Sequence, residues 1–193
     1  MNRYLGQSKL HFIKHCTTIL LIFNYFFFIV PKNANSKIDP PNYNFSFEEL
    51  AIFKPGTILS DIQKKYGEGE IMDKNVTVEL RKFYVTHLRY KFPVIVQFFE
   101  GKVVDSYTRL PSYFLHNVFH QTLIDKLGPQ KSYLNKDGTS KYQWKDTQGI
   151  SYLYEGACTI TCFPIFFYMQ LETFPKGSEM AKPIINRLQN SKL

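Results

Sequence analysis

The sequence predicts an α+β fold made of two tandem modules, each with short helices followed by antiparallel strands. Two observations lead to this prediction. The order of helical and then alternating patterns occurs twice, and an offset of 61 residues superposes Lys65 and Gly67 on Lys126 and Gly128. Repeated supersecondary order is typical of repeat architectures. The alternative is a single α+β domain whose helices resemble each other by chance.

The helices are predicted from capping residues and apolar spacing. Ser46 and Glu49 have the spacing of a capping box, which predicts a short helix over 47–53. A second helix is predicted over 59–66. A third is predicted over 116–127, because a Gly-Pro pair follows it directly.

The strands are predicted where the apolar period changes to alternation. This change occurs at Val76, where the first strand begins, and a short Glu-Gly-Lys connection further on indicates a hairpin. The other predicted strands cover residues 93–99, 103–108, 141–145, 150–154 and 163–172. The first module is therefore predicted over 46–111 and the second over 112–174.

The first 36 residues have the features of a secretory signal peptide. A basic start precedes the apolar residues 17–30, and Ala34 and Ser36 are small residues suited to cleavage after Ser36. The alternative is an anchor that stays attached, and only such an uncleaved leader would contact a membrane. In both cases the rest of the chain is expected to be periplasmic or secreted. Residues 37–45 form a predicted linker and 175–193 a basic tail.

The charge distribution argues against nucleic acid as a partner. The chain has 24 Lys and Arg against 16 Asp and Glu, and four of the basic residues lie in residues 1–36, which contain no acid. The rest of the chain is therefore only mildly basic, whereas a nucleic-acid-binding protein presents a dense Lys and Arg surface.

Cys158 and Cys162 are the two cysteines that follow the leader. An even pair in an exported protein can form a disulfide. Because four residues of straight strand span about 13 Å and a disulfide needs Cα atoms within about 7 Å, residues 159–161 must then form a turn. Two free buried thiols and a metal site are the alternatives.

Two segments resemble a known small module. Lys54-Pro55-Gly56-Thr57 with the following Asp61–Gly67, and a second copy at Leu123–Pro129, resemble the helices of the β-lactamase-inhibitor-protein-like fold. Small outer-membrane lipoproteins of the SmpA/OmlA type share that fold, but the lipidated cysteine that follows their leader is missing here. A tandem pair is more similar to the inhibitor, and this resemblance implies a protein-binding role.

No standard catalytic signature occurs in the sequence, so the chain is expected not to be an enzyme and to need no cofactor. His116 and His120 lie four residues apart on a predicted helix and could hold one metal ion, but no third ligand is evident. Surface or capping imidazoles are the simpler interpretation. An enzyme that uses these histidines with a metal is a remaining hypothesis.

The predicted partner is a protein in the cell envelope or outside the cell. The candidate binding surface is an aromatic patch with a basic rim, since Tyr and Trp are enriched at interfaces. Its residues are Tyr142, Trp144, Tyr152 and Tyr154, rimmed by Arg89, Lys141 and Lys145. The alternative is that these rings are core. A carrier of an apolar small molecule or lipid is the alternative function.

Overall fold

One antiparallel sheet of eight strands dominates the computed structural model, which describes residues 45–87, 90–112, 114–158, 162–176 and 182–190. The strands are β1 (Glu70–Lys74), β2 (Val78–His87), β3 (Tyr90–Phe99), β4 (Lys102–Arg109), β5 (Ser132–Lys136), β6 (Thr139–Lys145), β7 (Ile150–Cys158) and β8 (Cys162–Leu171). The fold is therefore mixed α+β and mostly sheet.

The helices are short. Within the described ranges they are two 3-10 helices (Phe47–Glu49 and Ala51–Phe53) and three α-helices, α1 (Leu59–Tyr66), α2 (His116–Leu127) and α3 (Ile184–Asn190). The predicted bounds of α1 and α2 are confirmed. The predicted helix over 47–53 is two 3-10 helices joined at Leu50, and the Ser46 side chain makes no capping hydrogen bond. The capping-box prediction is therefore wrong.

The strand order is β1-β2-β3-β4-β8-β7-β6-β5. Each group of four strands runs back and forth in sequence order, and the two groups join where β4 pairs antiparallel with β8. A helix precedes each group, α1 before β1 and α2 before β5. Among the described residues, no helix has the length and apolar character needed to span a membrane.

Two strands were missed because their side chains give no alternating pattern. All five residues of β1 and all five of β5 are exposed, so neither strand shows the apolar period of a half-buried strand. The first predicted strand also begins too early. The Asn75 side-chain oxygen accepts hydrogen bonds from the backbone N–H groups of Thr77 and Val78, at 3.1 and 2.7 Å, which forms a turn. Val76 in that turn is fully exposed.

The main core lies on one side of the sheet, here called the covered face. Alternate side chains of β2, β3, β6, β7 and β8 point into it and pack under the 3-10 helices, α1 and α2. The completely buried side chains from the covering elements are Phe45, Leu50, Phe53, Ile62, Phe119 and Leu123. Burial of these apolar groups stabilises the fold by about 1.5–3 kcal/mol for each large side chain.

The other side of the sheet, the open face, is only partly covered. Helix α3 packs there through Ile184, which contacts Leu80 of β2 and Tyr168 of β8 in a smaller apolar cluster. Ile185 and Leu188 of the same helix lie against this cluster. The basic tail therefore contains a docked helix.

A second buried cluster contains Val78 and Val104, against which Phe99, Leu171 and Phe174 pack. Other side chains of the open face, such as Tyr84 and Lys91, are exposed.

Candidate functional site

The four aromatic side chains predicted to form an exposed patch are buried. The exposed fractions are 8% for Tyr142, 1% for Trp144, 3% for Tyr152 and 0% for Tyr154. Alternation on β6 and β7 directs all four onto the covered face, and the Trp144 indole N–H donates a 2.9 Å hydrogen bond to the Gly128 carbonyl at the end of α2. These rings are core, and they offer no surface to a partner.

The predicted rim lies on the opposite side of the sheet from these rings. Lys141 and Lys145 are exposed and form ion pairs, Lys141 with Glu155 at 3.0 Å and Lys145 with Glu172. Exposed pairs of this kind contribute at most about 1 kcal/mol each. Arg89 lies outside the described residues.

The open face carries its own row of large side chains. The register places Lys82 of β2 opposite Ile95 of β3, and Ile95 opposite Tyr107 of β4. The row continues through Tyr168 of β8 to Leu153 of β7. It crosses both groups of strands, and Tyr168 in this row is buried in the cluster that includes Ile184 of α3.

The open face also exposes aromatic and basic groups. Tyr84 is 40% exposed, and the ammonium group of Lys91 lies 4.6 Å from the centre of its ring. Tyr107 and Phe166 are half-buried, with ring centres 5.5 Å apart. Arg109 is exposed, and it forms no ion pair within the described ranges. We call these five residues the open-face patch.

A cleft of about 610 Å³ adjoins this patch where β3 and β8 begin and β4 ends. Its walls are apolar apart from Arg109 and Ser112. They are formed by Phe92, Pro93, Leu110, Pro111, Phe163, Pro164 and Ile165. Phe163 is 48% exposed at this site. Such a cleft can take an apolar group with a negative end.

Helix α3 is held on the open face through a buried carboxylate. Asp105 accepts hydrogen bonds of 2.7 Å from the Tyr168 hydroxyl and 2.7 Å from the Ile184 backbone N–H, and one of 3.0 Å from the Gln97 amide. Burial raises the Asp105 pKa to about 6, against the lowering effect of these donors and of Arg187. Desolvation is the larger effect because the carboxylate is completely buried.

A histidine cluster lies between α2 and β7. His116 is 5% exposed, its Nδ1 is 2.8 Å from the Tyr154 hydroxyl, and its Nε2 is 3.4 Å from the Tyr142 hydroxyl. Burial and then the nearby His120 lower the His116 pKa to about 4. Burial also lowers the pKa of His120, which stacks on His116 with ring centres 5.5 Å apart. Both imidazoles are therefore neutral at pH 7.

A disulfide joins Cys158 at the end of β7 to Cys162 at the start of β8, with Cα atoms 4.0 Å apart. The two cysteines are a cross-strand pair. Ligand atoms of His116, Cys158 and Cys162 lie within 4.8 Å of one another. His120 is not part of this group, and in the described part of the chain no group of three or more such ligands contains both histidines.

Sequence reasoning missed the chemistry of the open face. Asp105 and Tyr168 are on non-adjacent segments, and only the β4–β8 pairing brings them together. The one available signal was a lone acid in a predicted strand at 103–108.

Comparison with protein-family models, curated proteins and solved structures found no match to this chain.

Proposed function

We propose that this chain is an exported, periplasmic or secreted, non-enzymatic module that binds a protein partner through the open face of its sheet. The observation that carries the proposal is the difference in burial between the two faces of the sheet. The helices α1 and α2 bury one face, whereas the other exposes Tyr84, Lys91 and Arg109 beside half-buried rings.

The composition of the open-face patch supports this role. Tyr, Phe and Arg are enriched in protein interfaces, and Tyr and Arg are common among the residues that contribute most to binding. Tyr107 and Phe166 already pack on each other, so little conformational freedom is lost on binding. Lys91 and Arg109 lack carboxylate partners in the described residues. The complementary surface would therefore combine apolar groups with carboxylates.

Two tandem modules resembling the β-lactamase-inhibitor-protein-like fold are the finer part of the proposal. Helices α1 and α2 end at Gly67 and Gly128, whose φ angles are 77° and 78° and whose N–H groups each donate 2.8 Å bonds to the carbonyl four residues before. Each helix precedes four antiparallel strands. A binding role is in keeping with this resemblance, but the target of one member does not transfer to another.

Export is proposed from the leader sequence and is in keeping with the cysteine chemistry. A basic start, apolar residues 17–30 and small residues before position 37 are the features of a signal peptide. Disulfides such as Cys158–Cys162 persist mainly in oxidising compartments.

Cross-linking to a captured partner tests the binding face. The protein made from the full chain, with a tag, is incubated with envelope and culture-medium fractions, and lysine cross-links are mapped by mass spectrometry. Cross-links from Lys91 and Lys141, on the open face, support the proposal. Cross-links confined to Lys64 and Lys126, on α1 and α2, contradict it.

A carrier of an apolar acid is the second candidate, because the cleft beside Arg109 combines apolar walls with a cation. Native mass spectrometry of the protein purified from its source tests this function. A bound fatty acid that is lost in Arg109→Glu and retained in Lys64→Glu supports a carrier. A ligand-free spectrum, together with no uptake of added fatty acid, excludes it.

A further inference from the structure

We propose that reduction of the Cys158–Cys162 disulfide creates a Zn²⁺ site whose ligands are the two thiolates and the imidazole of His116. The inference goes beyond the proposed binding function and does not depend on it. It concerns the opposite side of β7 from the open-face patch.

The positions of the ligand atoms carry the proposal. Ligand atoms of the three side chains already lie within 4.8 Å of one another. A tetrahedral Zn²⁺ ion, with bonds of about 2.3 Å to sulfur and about 2.0–2.1 Å to nitrogen, needs its ligand atoms roughly 3.4–3.8 Å apart. Opening the disulfide lets the two sulfur atoms move apart to this separation by side-chain rotation.

The surroundings of His116 suit a ligand. Its two ring nitrogens each lie beside a tyrosine hydroxyl, that of Tyr154 or that of Tyr142. Whichever nitrogen binds the ion, the other keeps a hydrogen-bond partner, and such partners orient metal-binding imidazoles. Gly156 leaves room for the imidazole ring of His116, because a Cβ atom at position 156 would lie 3.1 Å from Nδ1 of His116.

A metal ion can reach the site from solvent, and the ligand chemistry indicates which metal is bound. Cys158 and Cys162 are both half-buried, whereas His116 is buried behind them. Two thiolates and one imidazole form a soft donor set typical of zinc. Three protein ligands leave the fourth tetrahedral position to water.

The redox step is a simple exchange. A dithiol reductant gives two electrons and two protons to the disulfide and becomes a disulfide itself, which leaves Cys158 and Cys162 as thiols. Binding of Zn²⁺ then displaces the two thiol protons. Oxidation by a disulfide donor reverses the reaction and releases the ion. The same two sulfur atoms therefore serve as a covalent link or as metal ligands, and not both at once.

Cobalt titration tests the site directly. Protein from the full chain is reduced with a phosphine, which becomes the phosphine oxide with oxygen from water, and is titrated with Co²⁺ and then with Zn²⁺ as competitor. One equivalent of Co²⁺ with thiolate charge-transfer absorption and tetrahedral visible bands is expected. The oxidised protein should show neither feature.

Three variants separate the site from adventitious binding. The affinity should fall in His116→Gln by more than the roughly 10–100-fold that removal of a ligand's supporting partner costs. Cys158→Ser should lose at least about half of the charge-transfer intensity, because one of the two thiolates is removed. The matched control His120→Gln, one helical turn away and stacked on His116, should bind Co²⁺ as the wild type does.

The proposal is overturned if the reduced wild type binds no stoichiometric ion, or if His116→Gln binds as tightly as His120→Gln. If His116→Gln does not fold, X-ray absorption of the zinc-loaded wild type decides. Two sulfur ligands and one imidazole support the site. Two sulfurs with only water oxygens contradict it.

Discussion

The hydroxyl of Tyr168 donates a 2.7 Å hydrogen bond to the carboxylate of Asp105, and the backbone N–H of Ile184 donates to the same oxygen. Through this carboxylate, the junction of the two groups of strands is tied to the C-terminal helix α3. The buried charge is supported by three donors, yet its raised pKa shows that desolvation outweighs them.

The first prediction concerns pH. Because the Asp105 pKa is raised from 3.8 to about 6 on folding, the folded protein binds the proton more tightly than the unfolded chain. This contribution to the free energy of unfolding is complete below about pH 4 and is lost as the pH rises through about 6. A pKa raised from 3.8 to about 6 corresponds to roughly 3 kcal/mol of stability below the lower value.

Urea unfolding of the wild type and of Asp105→Asn between pH 4.5 and 8 measures this effect. The stability of the wild type relative to the variant should increase as the pH falls. Tyr168→Phe should move the midpoint of the change to higher pH, because the carboxylate loses a donor. The prediction would be contradicted if the free energies of unfolding of the wild type and of Asp105→Asn differed by the same amount over this whole pH range.

The second prediction separates core from surface aromatics. Trp144→Ala should lower the free energy of unfolding by about 3–5 kcal/mol, since it removes a buried indole and its hydrogen bond to Gly128. Tyr84→Ala, at a partly exposed position on the open face, should cost much less, about 1 kcal/mol, because it removes the contact with the Lys91 ammonium group. Chemical denaturation measures both, and equal losses in the two variants would be the contrary result.

The third prediction concerns two glycines two residues apart. Gly67 and Gly69 have positive φ angles of 77° and 71°. A Cβ at Gly67 meets nothing within 4 Å, whereas one at Gly69 would lie 2.7 Å from Cε1 of Phe83, whose ring is fixed in the core. Gly67→Ala should therefore cost only the backbone strain, about 1–2 kcal/mol.

Gly69→Ala should cost that amount and a further 1–3 kcal/mol or so for overpacking. The additional shortening of the Phe83 side chain in Gly69→Ala/Phe83→Leu should recover part of the second loss. Thermal unfolding of the four proteins measures the differences. Equal stability of the two alanine variants would show that the Phe83 contact has no energetic effect.

The fourth prediction is that reduction leaves the chain folded. The disulfide closes a loop of only a few residues, for which the loss of chain entropy is worth about 2 kcal/mol. The domain also buries a large aromatic core that does not depend on this link. Circular dichroism should show the same strand signal with and without a phosphine reductant. A cooperative loss of the signal on reduction at 25 °C would contradict this expectation.

Local signals in the sequence predicted much of the fold, and burial decided where they failed. Helices α1 and α2 are bounded by strong terminators, so their ends were correct. The exposed strand β1 gave no period and was missed. For Tyr142 and Trp144, the alternation showed that they share one side of a strand. It did not show which side the helices cover, since that depends on packing between distant segments.

The most direct test of the account is the affinity of a captured partner for two charge-reversal variants. Arg109→Glu changes the open-face patch, and the matched control Lys64→Glu changes an exposed residue of α1. Titration calorimetry with the purified partner should show at least a tenfold loss of affinity for Arg109→Glu and wild-type affinity for Lys64→Glu. Wild-type binding by Arg109→Glu, with loss in Lys64→Glu, would contradict the open face as the binding surface.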